Sequence, residues 1–267
     1  MKFTAAREAL LKPLQAVIGV VERRQTMPIL SNILLVVKEG SMSVTATDLE
    51  VELVAHADVD TESGGEITVS GRKLLDICRA LPEGTSVTVS ASGEKLNIRG
   101  GRSRFNLATL PAAEFPSIED IKAGQKITVS QEALARLIEK THFSMAQQDV
   151  RYYLNGMLLE TGKGHLKAVA TDGHRLALCQ AEAEGSMDEQ QVIVPRKGVL
   201  ELQRLMSGDG DIDIELGTNH IRIQLDGIRF TSKLIDGRFP EYERVIPKES
   251  SNELLADRGA FKGALQR

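Results

Sequence analysis

Ala170-Thr171-Asp172 repeats a tripeptide met earlier in the chain, Ala46-Thr47-Asp48, at an offset of 124 residues. The same offset carries Glu8-Ala9-Leu10 onto Glu132-Ala133-Leu134, Arg72-Lys73 onto Arg196-Lys197, Leu81 onto Leu205 and Phe115-Pro116 onto Phe239-Pro240. Between these anchors the offset drifts by one residue, so that Asn32 answers to Asn155 and Phe105 to Phe230. Small loop insertions produce such drift, whereas chance does not hold one offset from residue 8 to residue 240. A sustained period marks a repeated structural unit, and here the unit has the length of an ordinary domain.

Each copy has the same internal grammar. Leu10, Leu11, Leu14, Val17, Ile18 and Val21 in the first copy, and Leu134, Leu137, Ile138 and Thr141 in the second, fall at the spacing of one buried helix face. They predict helices over 7–24 and 131–151, the second with Ser130 as N-cap and Glu132 in its first turn. Pro13 fits such a helix only in a first turn or at a kink. A second helix follows each Arg-Lys pair, over 72–81 (Leu74, Leu75, Ile77, Cys78, Leu81) and 196–206 (Val199, Leu200, Leu202, Leu205). Alternation at Ile212/Ile214/Leu216, Ile221/Ile223/Leu225 and Phe230/Leu234 predicts three closing strands separated by turn residues. The order helix, strands, helix, strands gives an α+β fold with mainly antiparallel sheets, in two domains over 1–122 and 123–247, each with its own core. Residues 248–267 hold a polar linker and the start of a third copy, with Leu254-Leu255-Ala256 as its opening strand and 258–262 as a first helical turn. So short a stub buries no core, so we expect a fragment of a longer protein.

Composition sets the limits. A chain of 267 residues with 42% hydrophobic and 26% charged residues is neither disordered nor fibrous. Cys78 and Cys179 are too few for a disulfide framework and lack metal-ligand spacing, so both are expected in the core and the setting is a reducing cytoplasm. No apolar run is long enough for a membrane span or export signal. The net charge of −4 hides a segregation: the four predicted helices sum to +6 and the remainder to −10. Helix exteriors are often basic without consequence, but equivalent cations in both copies favour a basic surface turned toward a polyanion. A hydrolase built on Asp172 and His174, with Ser144 as nucleophile, has no supporting motif: the chain lacks a G-x-S-x-G elbow, a phosphate loop, a G-x-G-x-x-G and a metal-ligand cluster. His142 reads as an ordinary helix residue. No cofactor or metal is expected.

With repeat and charge in place, the chain resembles the bacterial sliding clamps, the beta subunits of DNA polymerase III. The resemblance is carried by P-I-L-S-N-I-L-L (28–35), G-R-S-R-F-N-L-A-T-L-P-A (101–112), F-S-M-A-Q-Q-D-V-R-Y-Y-L-N-G-M (143–157), A-T-D-G-H-R-L-A (170–177), V-I-V-P-R-K-G-V (192–199) and F-T-S-K-L-I-D-G-R-F-P-E-Y (230–242). It covers the whole chain but two of the family's three domains. It implies a non-catalytic processivity factor: a head-to-tail dimeric ring, helices inside and sheets outside, that encircles duplex DNA without reading its sequence and tethers the replicative polymerase, the clamp loader and other partners through short peptide motifs. Position by position, the resemblance places DNA contacts at Arg24, Arg72, Gln148, Tyr152 and Tyr153. It places a partner-peptide pocket at Leu154, Thr171, Gly173, His174, Arg175, Leu176, Pro240, Arg244 and Val245. The first-domain side of the ring interface falls at Lys73, Arg102, Arg104, Phe105 and Leu107, on an exposed strand edge. Without a third domain, the chain itself is expected to be monomeric. A peptide-binding scaffold that forms no ring is the alternative, and would show no dependence on DNA topology.

Overall fold

The computed structural model describes residues 1–21, 27–118, 123–185, 188–206, 208–247 and 251–267, and in it both copies run through the same elements in the same order. The first copy is β1 (Lys2–Ala6), α1 (Arg7–Val17), β2 (Asn32–Lys38), β3 (Ser41–Thr47), β4 (Val51–Asp58), β5 (Asp60–Ser63), β6 (Gly65–Ser70), α2 (Gly71–Ala80), β7 (Ser86–Ser92), β8 (Lys95–Gly100) and β9 (Ser103–Leu110). The second is β10 (Ala123–Ser130), α3 (Gln131–Thr141), β11 (Gly156–Gly162), β12 (His165–Thr171), β13 (Leu176–Glu182), β14 (Glu184–Gly185), β15 (Gln190–Pro195), α4 (Arg196–Leu205), β16 (Asp211–Gly217), β17 (His220–Leu225) and β18 (Ile228–Lys233). Helix α5 (Arg258–Leu265) follows. The expected boundary at 122/123 borders residues outside those described, as does part of the linker after Pro247.

The helices form where the apolar period is strongest, with changed ends. Helix α1 gives way after Val17 to a 3₁₀ turn, Ile18–Val20, and carries Pro13 buried in its interior rather than in its first turn. Helix α3 starts as expected, with the Ser130 hydroxyl accepting from the Ala133 N–H at 3.2 Å. It stops at Thr141, ten residues short of the predicted end, because the apolar period lapses there and the backbone leaves the helical region at Thr141 (φ −128°). His142 consequently lies in a 3₁₀ turn, His142–Ser144, and not on the helix.

The sheets reveal something the periodicity does not carry. Strands β11, β12, β13 and β15 form a four-stranded sheet, with β13 at its edge. The remaining fourteen form one continuous sheet, joined across the two copies by antiparallel pairing of β18 with β4. In that pairing Phe230 stands opposite Leu53, both fully buried. The buried apolar residues of both copies are in contact as one continuous cluster that runs through this junction.

By contact the chain divides into residues 1–237 and 238–267. In the second unit Leu254-Leu255-Ala256 forms no strand, and α5 makes two full turns where one was expected, begun by the Asp257 carboxylate accepting the Ala260 N–H at 2.8 Å. Leu254, Phe261 and Leu265 are exposed. Among the described residues no helix is long and apolar enough to cross a membrane.

Candidate functional site

The segment between α3 and β11 is a hydrogen-bonded loop. Met145 and Ala146 are buried at its start, and the Ala146 N–H donates to the Leu154 carbonyl at 3.0 Å, closing it. Asn155 braces its centre: its amide donates to the Asp149 carbonyl and its side-chain oxygen accepts the Asp149 N–H, both at 2.9 Å. The loop between these ties bulges to the surface. Gln148 is exposed with φ of 56°, in the left-handed region, and Val150 is 95% exposed. Tyr152 and Tyr153 sit in a 3₁₀ turn, Tyr152–Leu154, with rings edge to face at 5.8 Å. Tyr152 is 57% exposed and Tyr153 half-buried. Gly237 lies against the pair, where a Cβ would come within 3.3 Å of the Tyr152 ring.

Asp149 and Arg151 were not singled out from the sequence, since 131–151 read as helix. The Asp149 carboxylate accepts from the Arg151 N–H at 2.8 Å, from Nε at 3.0 Å and from Nη2 at 2.9 Å. The Arg151 hydrogen bonds, side chain first and backbone second, lower the Asp149 pKa to about 2. Nη2 also donates to the Asp172 carbonyl at 3.3 Å. The only sequence signal for this arrangement is the D-x-R spacing itself.

Asp172 opens the turn between β12 and β13. Its carboxylate accepts from the His174 and Arg175 N–H groups, both at 3.0 Å, and from Arg175 Nε at 3.0 Å. Those backbone bonds come first among the causes that lower its pKa. Thr171 completes the turn, its hydroxyl donating to the Arg175 carbonyl at 2.7 Å and accepting from the Gly173 N–H at 3.1 Å. Gly173 is required: its φ of +89° disfavours a side chain, and a Cβ would lie 3.1 Å from the Arg151 guanidinium. Asp172 is therefore a turn-forming residue, and Ser144, 1% exposed, is buried. Around this turn Leu154 is buried, Leu176 half-buried, and Gly173, His174 and Arg175 exposed. Loop and turn thus bring Gln148, Tyr152, Tyr153, Leu154 and residues 171–176 onto adjoining segments tied by Arg151.

In the second unit, Arg244 ends a 3₁₀ turn over Tyr242–Arg244, with Pro240 before it and Val245 directly after. Val245 is 70% exposed, and Arg244 ion-pairs with Glu241.

The basic helix residues divide into two groups. Arg7 caps the end of α2, donating from Nε to the Cys78 carbonyl at 2.8 Å. Arg204 caps the end of α1, donating to the carbonyls of Gln15 and Ala16 and pairing with Glu201. Lys197 pairs with Asp48 of the first copy. Arg72 donates from Nη2 to the Val21 carbonyl at 2.6 Å, while its Nε is buried and unpaired. Arg7 and Arg204 thus tie one helix to another, while Lys197 and Arg72 tie a helix to a turn or to the segment after α1, which the charge sum alone cannot show. Lys73 and Arg79 are exposed. Arg24 lies outside the described residues. At the expected ring interface, Arg102 and Arg104 are exposed on a turn and on β9, while Phe105 and Leu107 are half-buried against the core.

Two tandem α+β repeats sharing a sheet, with no catalytic constellation among the described residues, define a DNA-clamp architecture. Residues 1–119 match the family described as DNA polymerase III beta subunit, N-terminal domain, and residues 128–241 match its central domain. The chain is 54% identical over 270 residues to the beta sliding clamp of Pseudomonas aeruginosa and 52% identical over 269 residues to that of Escherichia coli K12. In each case all of this chain is covered and 74% of the relative. Among solved structures, the P. aeruginosa clamp bound to griselimycin aligns with a TM-score of 0.96 at 53% identity, covering 100% of this chain and 73% of that one. Caulobacter crescentus pol III beta aligns with 0.95 at 43% identity, covering 100% and 74%. The chain belongs to the beta sliding clamp family of DNA polymerase III, non-catalytic processivity factors of DNA replication.

Proposed function

We propose that the second copy carries two binding functions of the clamp on adjoining segments. Gln148, Tyr152 and Tyr153, with Arg24 and Arg72 of the first copy, face duplex DNA and the primer end. Leu154, Thr171, Gly173, His174, Arg175 and Leu176, with Pro240, Arg244 and Val245, receive a short peptide from the polymerase, the clamp loader or another partner in a cytoplasmic setting. The observation that carries this reading is the loop over 145–155: it presents exposed Tyr152, packed edge to face on half-buried Tyr153, and the exposed amide of Gln148, directly before buried Leu154. Aromatic faces stack on unpaired bases of any sequence, and few, weak phosphate contacts leave a ring free to slide.

Assembly follows from the repeat. Strand β18 pairs with β4, and their equivalents in the other copies are β9 and β13. Strand β9 pairs with β8 over Ser103–Ala108 but reaches β6 only through Thr109 and Leu110, leaving its outer edge open. Lys197 pairs with Asp48 across the copies, and its equivalent is Lys73. An acidic strand from another domain would therefore meet Lys73, Arg102 and Arg104 along β9, as β4 meets β18. Head-to-tail pairing of this kind generates a ring when the rotation between successive copies closes.

The test is binding by the chain itself. A labelled peptide with a Gln and a Leu-Phe pair should bind, and Leu176→Asp or Val245→Asp should remove binding by placing an unpaired charge in an apolar site. Primer–template DNA should bind weakly and lose most of its binding between low and physiological salt. Sequence-selective DNA binding that survives that salt, or unchanged peptide affinity in both variants, would refute the assignment.

A further inference from the structure

The two copies fold alike, so a side-chain network present in one and missing from the other is not demanded by the fold. The Asp149–Arg151 strut is such a network. At the equivalent places the first copy has Pro28 for Arg151 and Asn32 for Asn155, and Asn32 donates instead to the Thr68 hydroxyl at 3.0 Å. The first copy's Asp48 turn has the same backbone bonds as the Asp172 turn, to Glu50 N–H at 2.9 Å and Val51 N–H at 2.7 Å. It is held from outside by Lys197 of the neighbouring copy rather than by an arginine of its own. The Asp172 turn is held from its own copy, by Arg151.

Arg151 joins two segments. Through its fork on Asp149 it belongs to the loop, where Asn155 fixes Asp149 by both backbone groups. Through Nη2 on the Asp172 carbonyl, and by lying over Gly173, it belongs to the turn. A planar fork on a carboxylate holds geometry in a way an ammonium does not.

We infer that Arg151 is a positioning residue shared by the DNA-facing loop and the peptide-binding turn, oriented by Asp149, so that loss of the strut weakens both ligands together. This rests on the two-ligand reading above. Asp149 itself need touch neither ligand: its part is to hold the guanidinium over Gly173.

The test measures two affinities on the intact chain and its variants Arg151→Ala, Arg151→Lys, Asp149→Asn and Asp149→Asn/Arg151→Ala. The probes are the labelled Gln…Leu-Phe peptide and a labelled primer–template at low salt. The wild-type chain binding each probe tests the earlier reading by itself. Arg151→Ala should weaken both by roughly 5- to 20-fold, the scale of an oriented charge-assisted bond. Asp149→Asn should weaken both in the same sense, and the double variant should be no worse than Arg151→Ala, because the two side chains act as one unit. Arg151→Lys keeps the charge without the fork and should recover less than half of the lost affinity on a logarithmic scale. Thermal midpoints within a few degrees of wild type separate positioning from unfolding. Loss of peptide affinity alone would make Arg151 a direct peptide contact and overturn the inference. Additive losses in the double variant, full recovery with lysine, or no change in either affinity would overturn it equally.

Discussion

Asp149 shows how one side chain sets a pH dependence. Its carboxyl is held at about 2 against an ordinary value of 3.8, first by the Arg151 side chain and then by the Arg151 N–H. A carboxyl depressed by folding contributes stability that is present above its unfolded value and is lost as the pH falls through the folded one. Loop order should thus persist from neutral pH to near 4 and fail between there and 2. Amide exchange of Arg151 and His174 checks this, with Asp149→Asn expected to abolish that acid-side transition; an unchanged profile in the variant would place the transition elsewhere. At this scale the Q-Q-D-V-R-Y-Y-L run marks where the surface loop lies, with Gln148 and Tyr152 exposed on it and Leu154 buried beneath. Asp149 and Arg151 were not legible: the apolar period lapses at Thr141, but no glycine or proline follows before Gly156 to mark the stop, so the predicted helix ran over them. In the sequence Arg7, Arg72 and Arg204 are charges in a sum, yet each donates to a backbone carbonyl of the fold. A cation counted along a helix looks solvated until the carbonyl it meets is known, and those of Arg7 and Arg204 belong to another helix.

Among the elements, the β4–β18 junction holds an unusual group. Glu52, 4% exposed on β4, accepts the Ile118 N–H at 3.1 Å, and Arg229 and Arg222 lie near it. Burial outweighs those contacts and raises its pKa above the ordinary 4.5. A raised carboxyl has the opposite sign to Asp149: the folded state binds its proton more tightly, so stability declines as the pH rises from 4.5 through the folded value. Glu52→Gln keeps an acceptor for Ile118 and should leave the thermal midpoint at pH 7 unchanged or higher, with the slope above pH 4.5 removed. Glu52→Ala leaves that N–H unsatisfied and should cost about 1–3 kcal/mol. Equal destabilisation by Gln and Ala in thermal melts would show that the carboxylate charge itself secures the junction through the arginines. The elements on either side were legible from the sequence, including the closing strands and both pairs of helices. Their joining was not: alternation fixes which face of a strand is buried, but carries no information about which other strand accepts its edge.

On the scale of the molecule, the same junction predicts association. Position 52, an acid on β4, corresponds to Leu176 on β13, so this chain offers no acid at that position to answer Arg104 on another copy's β9 edge. The chain by itself should sediment as a monomer at micromolar concentration and should not be retained on nicked circular DNA. A stable dimer that stays on circles yet slides from linear DNA would refute the placement of the interface along β9. The period of 124 was the most legible feature of all, because it survives in identities that no packing detail can disguise. The shared sheet has one more consequence, in effective concentration. A covalent connection makes the pairing of β4 with β18 an intramolecular event, equivalent to a partner present at millimolar level. Such a junction tolerates the desolvated carboxylate of Glu52, since it never has to assemble from dilute solution. The open β9 edge has no tether, so any contact made there must form from free partners, and its row of exposed cations supplies the long-range attraction that raises their encounter rate.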